Sequence, residues 1–159
     1  MTKIANAQTD ALKSNIEAIA KVSEAMLTGL ERMTALNLAA ARSLVEDSVA
    51  VTQSYAKVKD VDGLKTVATP LGEKANEQMM QYMRDVLEVS KGMQSTLAKI
   101  MNEQISSFGD NVAAMAPVLD LVKKATQQVS DMTAAGVKAA TEMTEKLSDS
   151  VEVKTKKTA

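Results

Sequence analysis

Apolar residues recur along most of this chain at alternating steps of three and four positions, the spacing that places side chains on one face of an α-helix. The first run extends from about Thr9 to about Lys57, with Ser23 and Asn37 as polar interruptions. The large apolar residues of this run are Leu12, Ile16, Ile19, Met26, Leu30, Met33 and Leu44. The pattern predicts one long helix, on the order of 70 Å at 1.5 Å per residue, with a seam of the coiled-coil type.

The segment 57–64 breaks this pattern and carries Asp60 and Gly63. We expect Asp60 to cap a short helical turn, because an aspartate side chain accepts hydrogen bonds from the first free N–H groups of a helix. Thr69 and Pro70 then predict a new helix start, since threonine is a capping residue and proline suits the first helical position.

A second long helix is predicted from Leu71 to Phe108, and it would fold back on the first helix as a hairpin. Its candidate apolar face consists of Met79, Tyr82, Met83, Val86, Met93, Leu97 and Ile100. Gly109 predicts a stop, and Pro117 marks either a kink or another helix start. A third, weaker helical pattern of smaller side chains follows Pro117.

The sequence therefore predicts an all-α fold in which long amphipathic helices form a helical hairpin or coiled-coil bundle. We divide it into an amphipathic region 1–108, a weaker helical region 109–147 and a flexible, disordered C-terminal tail 148–159, which has little to bury. The breaks would act as hinges between the apolar faces. The candidate hinge residues are Asp60, Gly63, Pro70 and Gly109.

Composition argues for binding rather than catalysis. The chain has no histidine, cysteine or tryptophan but has 11 methionines, whose flexible side chains fit irregular apolar surfaces. Ser54 and Lys57 match a Ser-x-x-Lys spacing, but the other segments of such acyl-transfer sites are missing. Glu73 and Glu77 share a helix face without any further ligand. We expect no enzyme activity, no metal and no cofactor.

Charge and hydropathy exclude further classes of partner. The formal net charge is -1, and Arg32, Arg42 and Arg84 are the only arginines, so no basic stripe predicts nucleic-acid binding. No apolar run approaches the roughly 20 residues of a transmembrane helix. The first residues lack the apolar core of a secretory signal, and we expect a cytoplasmic location.

The order of these features resembles the phasins, which coat polyhydroxyalkanoate storage granules inside bacteria. The resemblance runs from about Leu30 to about Phe108. It includes the stretch Asn-Leu-Ala-Ala-Ala-Arg at 37–42, the break at 57–64 and the Tyr-Met-Arg triplet at 82–84. The lysine repeats of some longer phasins are missing, so the resemblance does not extend to tethering DNA.

The resemblance implies a non-enzymatic, amphiphilic coat protein that adsorbs to the polyester surface of cytoplasmic granules and influences their size, number and dispersion. It also implies a homo-oligomer formed by coiled-coil packing. The apolar residues of the first two helices would then contact the granule or another copy of the chain. Two alternatives fit the same pattern: a soluble coiled-coil adaptor or structural helical bundle, and an amphipathic protein that binds lipid surfaces.

Overall fold

The computed structural model of the chain describes residues 2–108 and 112–156, and all of its regular structure within these ranges is helical. The long helices are α1 (Thr2–Tyr55), α2 (Val61–Phe108) and α3 (Ala116–Lys156), and a 3₁₀ turn at Val112–Met115 precedes α3. The prediction of an all-α fold is confirmed. The predicted hinge at Gly109 lies outside the described residues.

A short turn connects α1 to α2. The backbone N–H of Lys57 donates to the Ser54 carbonyl at 3.2 Å, and that of Val58 donates to the Tyr55 carbonyl at 3.2 Å, which tightens the end of α1. Asp60 Oδ1 accepts a hydrogen bond from the Gly63 N–H at 2.7 Å. Asp60 therefore caps α2, as predicted, because this bond satisfies one of the free donors of the first helical turn.

The predicted helix start at Thr69 and Pro70 is wrong, since both residues lie inside α2. Proline within a helix removes one backbone hydrogen bond and clashes with the carbonyl four residues earlier, here that of Thr66, at a cost of about 3 kcal/mol. That cost is local. The helix that begins after the Asp60 cap continues across Pro70 instead of starting again.

Pro117 is the second residue of α3 and so belongs to a helix start rather than a kink. Proline is well tolerated there because the first turn of a helix has no partner for its N–H groups. The predicted flexible tail, 148–159, overlaps the last turns of α3, and residues 157–159 lie outside the described part. The predicted regional boundaries near 108 and 147 remain a prediction.

The chain forms two compact units, and each takes segments from all three helices. Unit 1 consists of Met1–Met33 and Glu88–Thr133, and unit 2 consists of Thr34–Leu87 and Ala134–Ala159. In each unit α1 and α2 run antiparallel, because contacts that lie further along α1 meet residues that lie earlier on α2. In unit 2, Asn37 bonds to Tyr82 and Asp47 bonds to Lys74. The predicted hairpin is confirmed.

The core of unit 1 is built from aliphatic side chains of α1, α2 and α3. Its fully buried large side chains are Val22, Leu97, Met115, Val118 and Val129. Polar contacts accompany this core. Among them, Asn15 Nδ2 donates to the Ala114 carbonyl at 2.9 Å, and Ser14 Oγ donates to Gln104 Oε1 at 3.4 Å.

Gly29 is the point of closest approach between α1 and α2 in unit 1. The Met93 side chain lies where a β-carbon on residue 29 would have to stand. A glycine inside a helix lowers helix stability by about 1 kcal/mol relative to alanine. Here the absent side chain makes room for Met93, which is buried in the core.

We predict that Gly29→Ala destabilises the protein, whereas Gly92→Ala stabilises it. Both substitutions improve helix propensity, but only residue 29 faces a packed side chain; around Gly92 nothing lies within 4 Å. Overpacking costs about 1–3 kcal/mol and outweighs the gain of about 1 kcal/mol from propensity. Urea unfolding followed by circular dichroism measures both changes. An equal gain in stability for the two variants would show that Met93 does not depend on the gap at Gly29.

Candidate surface-binding face

The residues predicted to form one apolar face occupy three different environments in the fold. The exposed ones are Leu12 (65% exposed), Ile16 (60%), Ile19 (38%) and Leu30 (43%). The half-buried ones are Met26, Leu44, Met79, Tyr82 and Met83. The buried ones are Met33, Val86, Met93, Leu97 and Ile100. The predicted apolar faces of the first two helices therefore divide into buried, half-buried and exposed side chains.

The buried side of α1 in unit 1 carries mostly small residues. Ala18, Val22, Gly29 and Met33 are buried there, and Ala25 is half-buried. These positions follow the same three- and four-residue spacing as the predicted seam but are rotated about one position around the helix. Ranking positions by side-chain size missed Ala18, Val22 and Gly29, although the regular spacing of these small residues was visible.

This rotation leaves large aliphatic side chains of α1 on the outside. In unit 1 they are Leu12, Ile16, Ile19, Leu27 and Leu30, all exposed. At about 100° per residue these five positions fall within about 80° of the helix circumference, and their Cα atoms span about 27 Å. We call these five residues the aliphatic face of α1.

No charged residue lies within the aliphatic face. The charged residues of the same stretch, such as Lys13, Glu17, Glu24 and Glu31, fall on a neighbouring sector of the helix and are exposed. In unit 1, α1 thus has three sides: a small-residue side packed in the core, a charged side and an exposed aliphatic side.

The polar side chain within the aliphatic face has no free donor. Ser23 Oγ donates to the Ile19 carbonyl of its own helix at 2.9 Å. Covering a polar group without a hydrogen bond costs free energy, but a hydroxyl bonded to the carbonyl four residues earlier already has a partner for its proton. An apolar body can therefore cover this face without stranding the hydroxyl proton.

Unit 2 exposes a second, separate set of large apolar side chains. These are Leu38, Val45 and Val49 of α1 and Met80 and Leu87 of α2. Thr52 Oγ1 on the same part of α1 donates to the Ser48 carbonyl at 2.8 Å, as Ser23 does in unit 1.

Side-chain hydrogen bonds and an ion pair join α1 to α2 in unit 2. Tyr82 Oη donates to Asn37 Oδ1 at 2.6 Å, Gln78 Nε2 donates to Ser43 Oγ at 2.8 Å, and Lys74 Nζ bonds to Asp47 Oδ1 at 2.7 Å.

The ionisable members of these contacts have shifted pKa values. The hydrogen bond from Lys74 lowers the pKa of Asp47, and the same bond raises the pKa of Lys74. Burial raises the pKa of Tyr82, because it disfavours the charged phenolate.

The described residues contain no group of three or more His, Cys, Asp or Glu side chains arranged to hold a metal ion. None of the described helices combines the length and the hydropathy needed to cross a membrane. The described surface is thus distinguished by its exposed aliphatic side chains.

Comparison with known families identifies the chain. The model of the phasin protein family matches residues 6–105, which is more than half of the sequence. The chain belongs to the phasin family, whose members are structural, non-enzymatic proteins associated with polyhydroxyalkanoate granules. No curated protein and no solved structure matches it.

We predict that Tyr82 ionises at higher pH in the folded protein than in the unfolded chain. In a Tyr55→Phe variant Tyr82 is the only tyrosine, so its ultraviolet absorbance reports the phenolate directly. Burial places the native pKa above the ordinary value of 10.0. The stability contributed by neutral Tyr82 is therefore present below pH 10.0 and is lost as the pH rises through the native pKa. Coinciding titration curves with and without urea would contradict the burial of this ring.

Proposed function

We propose that this phasin adsorbs to polyhydroxyalkanoate granules through the aliphatic face of α1, while its charged sectors stay in water. Such a layer limits coalescence of granules and influences their size, number and dispersion. The observation that supports this proposal most directly is a cluster of five exposed Leu and Ile side chains, in the folded chain, with no charge among them. Exposed apolar clusters of this kind mark binding surfaces more often than isolated exposed residues do.

The chemistry of the polymer fits this face. A polyester offers apolar backbone and side groups together with ester carbonyls, which accept hydrogen bonds but donate none. Burial of apolar surface contributes about 25 cal/mol per Å², so a shallow face can adsorb without a pocket. Because the Ser23 hydroxyl already donates to the Ile19 carbonyl, it needs no hydrogen-bond acceptor from the polymer.

The charged sector accounts for dispersion in this proposal. Lys13, Glu17, Glu24 and Glu31 would point away from the polymer or along its surface and remain hydrated. The net charge of -1 is too small for strong repulsion between whole coats. A hydrated protein layer that separates two polymer surfaces mechanically is the better account. Granule number would then follow the amount of coat available to cover new surface.

A phospholipid surface is the weaker candidate for this face. Helices that lie on membranes usually carry Lys or Arg along the boundary and aromatic residues at the interface. The aliphatic face has charged residues of both signs beside it, Lys13 and Glu31, and the chain has no tryptophan.

Self-association through the same face is also part of the proposal. A homo-oligomer that covers these side chains would be a storage form that dissociates at the granule.

We predict that Ile16→Gln/Leu27→Gln/Leu30→Gln lowers the affinity for poly(3-hydroxybutyrate) particles at least about tenfold, since each substitution removes apolar area that adsorption would bury. The three positions are exposed, so the variant should keep its helicity and its unfolding midpoint. Sedimentation of particles with bound protein measures the affinity.

The matched control is Lys13→Gln/Glu24→Gln/Thr28→Gln, which places three glutamines on exposed positions outside the aliphatic face and leaves the net charge unchanged. The control should bind as the wild type does. Equal binding by both triple variants would remove this face from the proposal. Stronger binding of the wild type to phosphatidylglycerol vesicles than to polyester particles would favour a lipid surface instead.

A further inference from the structure

The two units differ in how their helices are held together. Twelve of the fourteen buried hydrophobic side chains in the described part of the chain lie in unit 1, and Val86 and Ala140 are the two in unit 2. The buried polar side chains, Ser90 and Gln104, are also in unit 1. Among the side chains described, unit 2 therefore has a thin core.

Both units have polar contacts between α1 and α2, such as Ser14–Gln104 and Lys21–Glu103 in unit 1, but in unit 2 few buried side chains accompany them. In unit 2 the Lys74–Asp47 pair is solvated, with side chains 58% and 23% exposed. Ion pairs of this kind contribute little, because water stabilises the separated charges nearly as well. Asn37 is exposed, and Ser43 and Gln78 are only half-buried. Water can replace each of these contacts when the helices part.

Apolar side chains of unit 2 are incompletely covered in the closed form. Leu36, Leu44, Met79 and Met83 are half-buried, so water reaches part of each side chain. An apolar surface that received this group would bury more of its area than the closed unit does. In water alone the same opening would expose them, so the closed form is favoured there.

We propose that unit 2 contains a second, latent adsorption surface, formed by Leu36, Leu44, Met79 and Met83, which a polyester surface uncovers by separating α1 from α2. Unit 1 stays closed, because its core would lose more packing than the polymer could return. This inference rests on the proposed function, since the granule must first hold the protein. In this proposal unit 2 spreads over the granule after unit 1 has attached. The flexible methionine side chains adapt to the irregular polymer surface.

Engineered disulfides can test this proposal because the chain has no cysteine. Ser43→Cys/Gln78→Cys would link α1 to α2 in unit 2, where Ser43 Oγ and Gln78 Nε2 lie 2.8 Å apart. Because cysteine is shorter than glutamine, a short bis-methanethiosulfonate linker joins the two sulfurs through reducible disulfides in this variant and in its control. Ser14→Cys/Gln104→Cys would link the same two helices in unit 1, where the corresponding distance is 3.4 Å, and serves as the matched control. Mass spectrometry confirms each bond before adsorption is measured on poly(3-hydroxybutyrate) particles.

The oxidised unit 2 disulfide should lower the affinity at least about tenfold, and a reductant should restore it, since opening is then possible again. The unit 1 disulfide should bind as the wild type does, whether oxidised or reduced. Unchanged binding by the oxidised unit 2 variant would overturn the latent surface while leaving the proposed function intact. Loss of binding by both oxidised variants would also overturn it, because opening would not be confined to unit 2.

Thiol reactivity provides a second measurement that does not depend on linking the helices. Leu44 and Met83 are half-buried in the closed unit, and the polymer would cover them after opening. A single cysteine at either position should therefore react more slowly with a polar thiol reagent on the particles than in solution. Unchanged reactivity at both positions would contradict the proposal. Failure of the wild type to adsorb at all would instead overturn the proposed function.

Discussion

The contact between Gly29 and Met93 is the constraint on which the arrangement of unit 1 depends. Close approach of α1 and α2 requires small residues at the crossing, and α1 supplies Ala18, Val22 and Gly29 on one side. Once that side faces the core, the rotation of α1 about its axis is fixed. The larger Leu and Ile side chains, which lie on the adjacent sector, then have no place inside. Their exposure follows from the packing of smaller residues rather than from any shortage of apolar partners.

This arrangement reverses the usual relation between side-chain size and burial, since large aliphatic residues normally contribute most to a core. In α1 the small residues are inside, and residues such as Leu12 and Ile16 are outside. Burial of these exposed side chains against a partner surface would therefore contribute favourable free energy to binding. In the proposed attachment to a granule, the protein would present this apolar face to the polymer while the core of unit 1 stays intact.

Much of the fold could be predicted from the sequence because helix-forming residues and apolar spacing act locally. The three helical regions, the Asp60 cap and the antiparallel hairpin all follow from such signals. The rotation of α1 about its axis could not be predicted, because it depends on which residues of α2 pack against α1. Met93 packs against Gly29, and the local sequence around neither residue indicates this contact. The prediction at Pro70 was wrong for the opposite reason. Proline is a strong local signal for a helix start, but α2 begins after the Asp60 cap and continues through Pro70. Leu12, Ile16, Ile19 and Leu30 were among the residues predicted to contact a granule or another copy, but their separation from the buried residues of the same predicted face was not predicted.

The described buried side chains are unevenly distributed between the two units, so one unit can maintain the fold while the other opens. If the whole chain were packed as unit 1 is, attachment would be limited to side chains that are exposed from the start. A chain packed throughout as unit 2 is would expose its interior too readily in water and would aggregate before it met a granule. A chain with one densely packed unit, and one whose described side chains form a thin core closed by solvated contacts such as Asp47 with Lys74, avoids both outcomes. In the proposed coat, the weak contacts of unit 2 are therefore as important as the core of unit 1. Because they contribute little free energy, adsorption to the polymer can shift unit 2 from the closed to the open form.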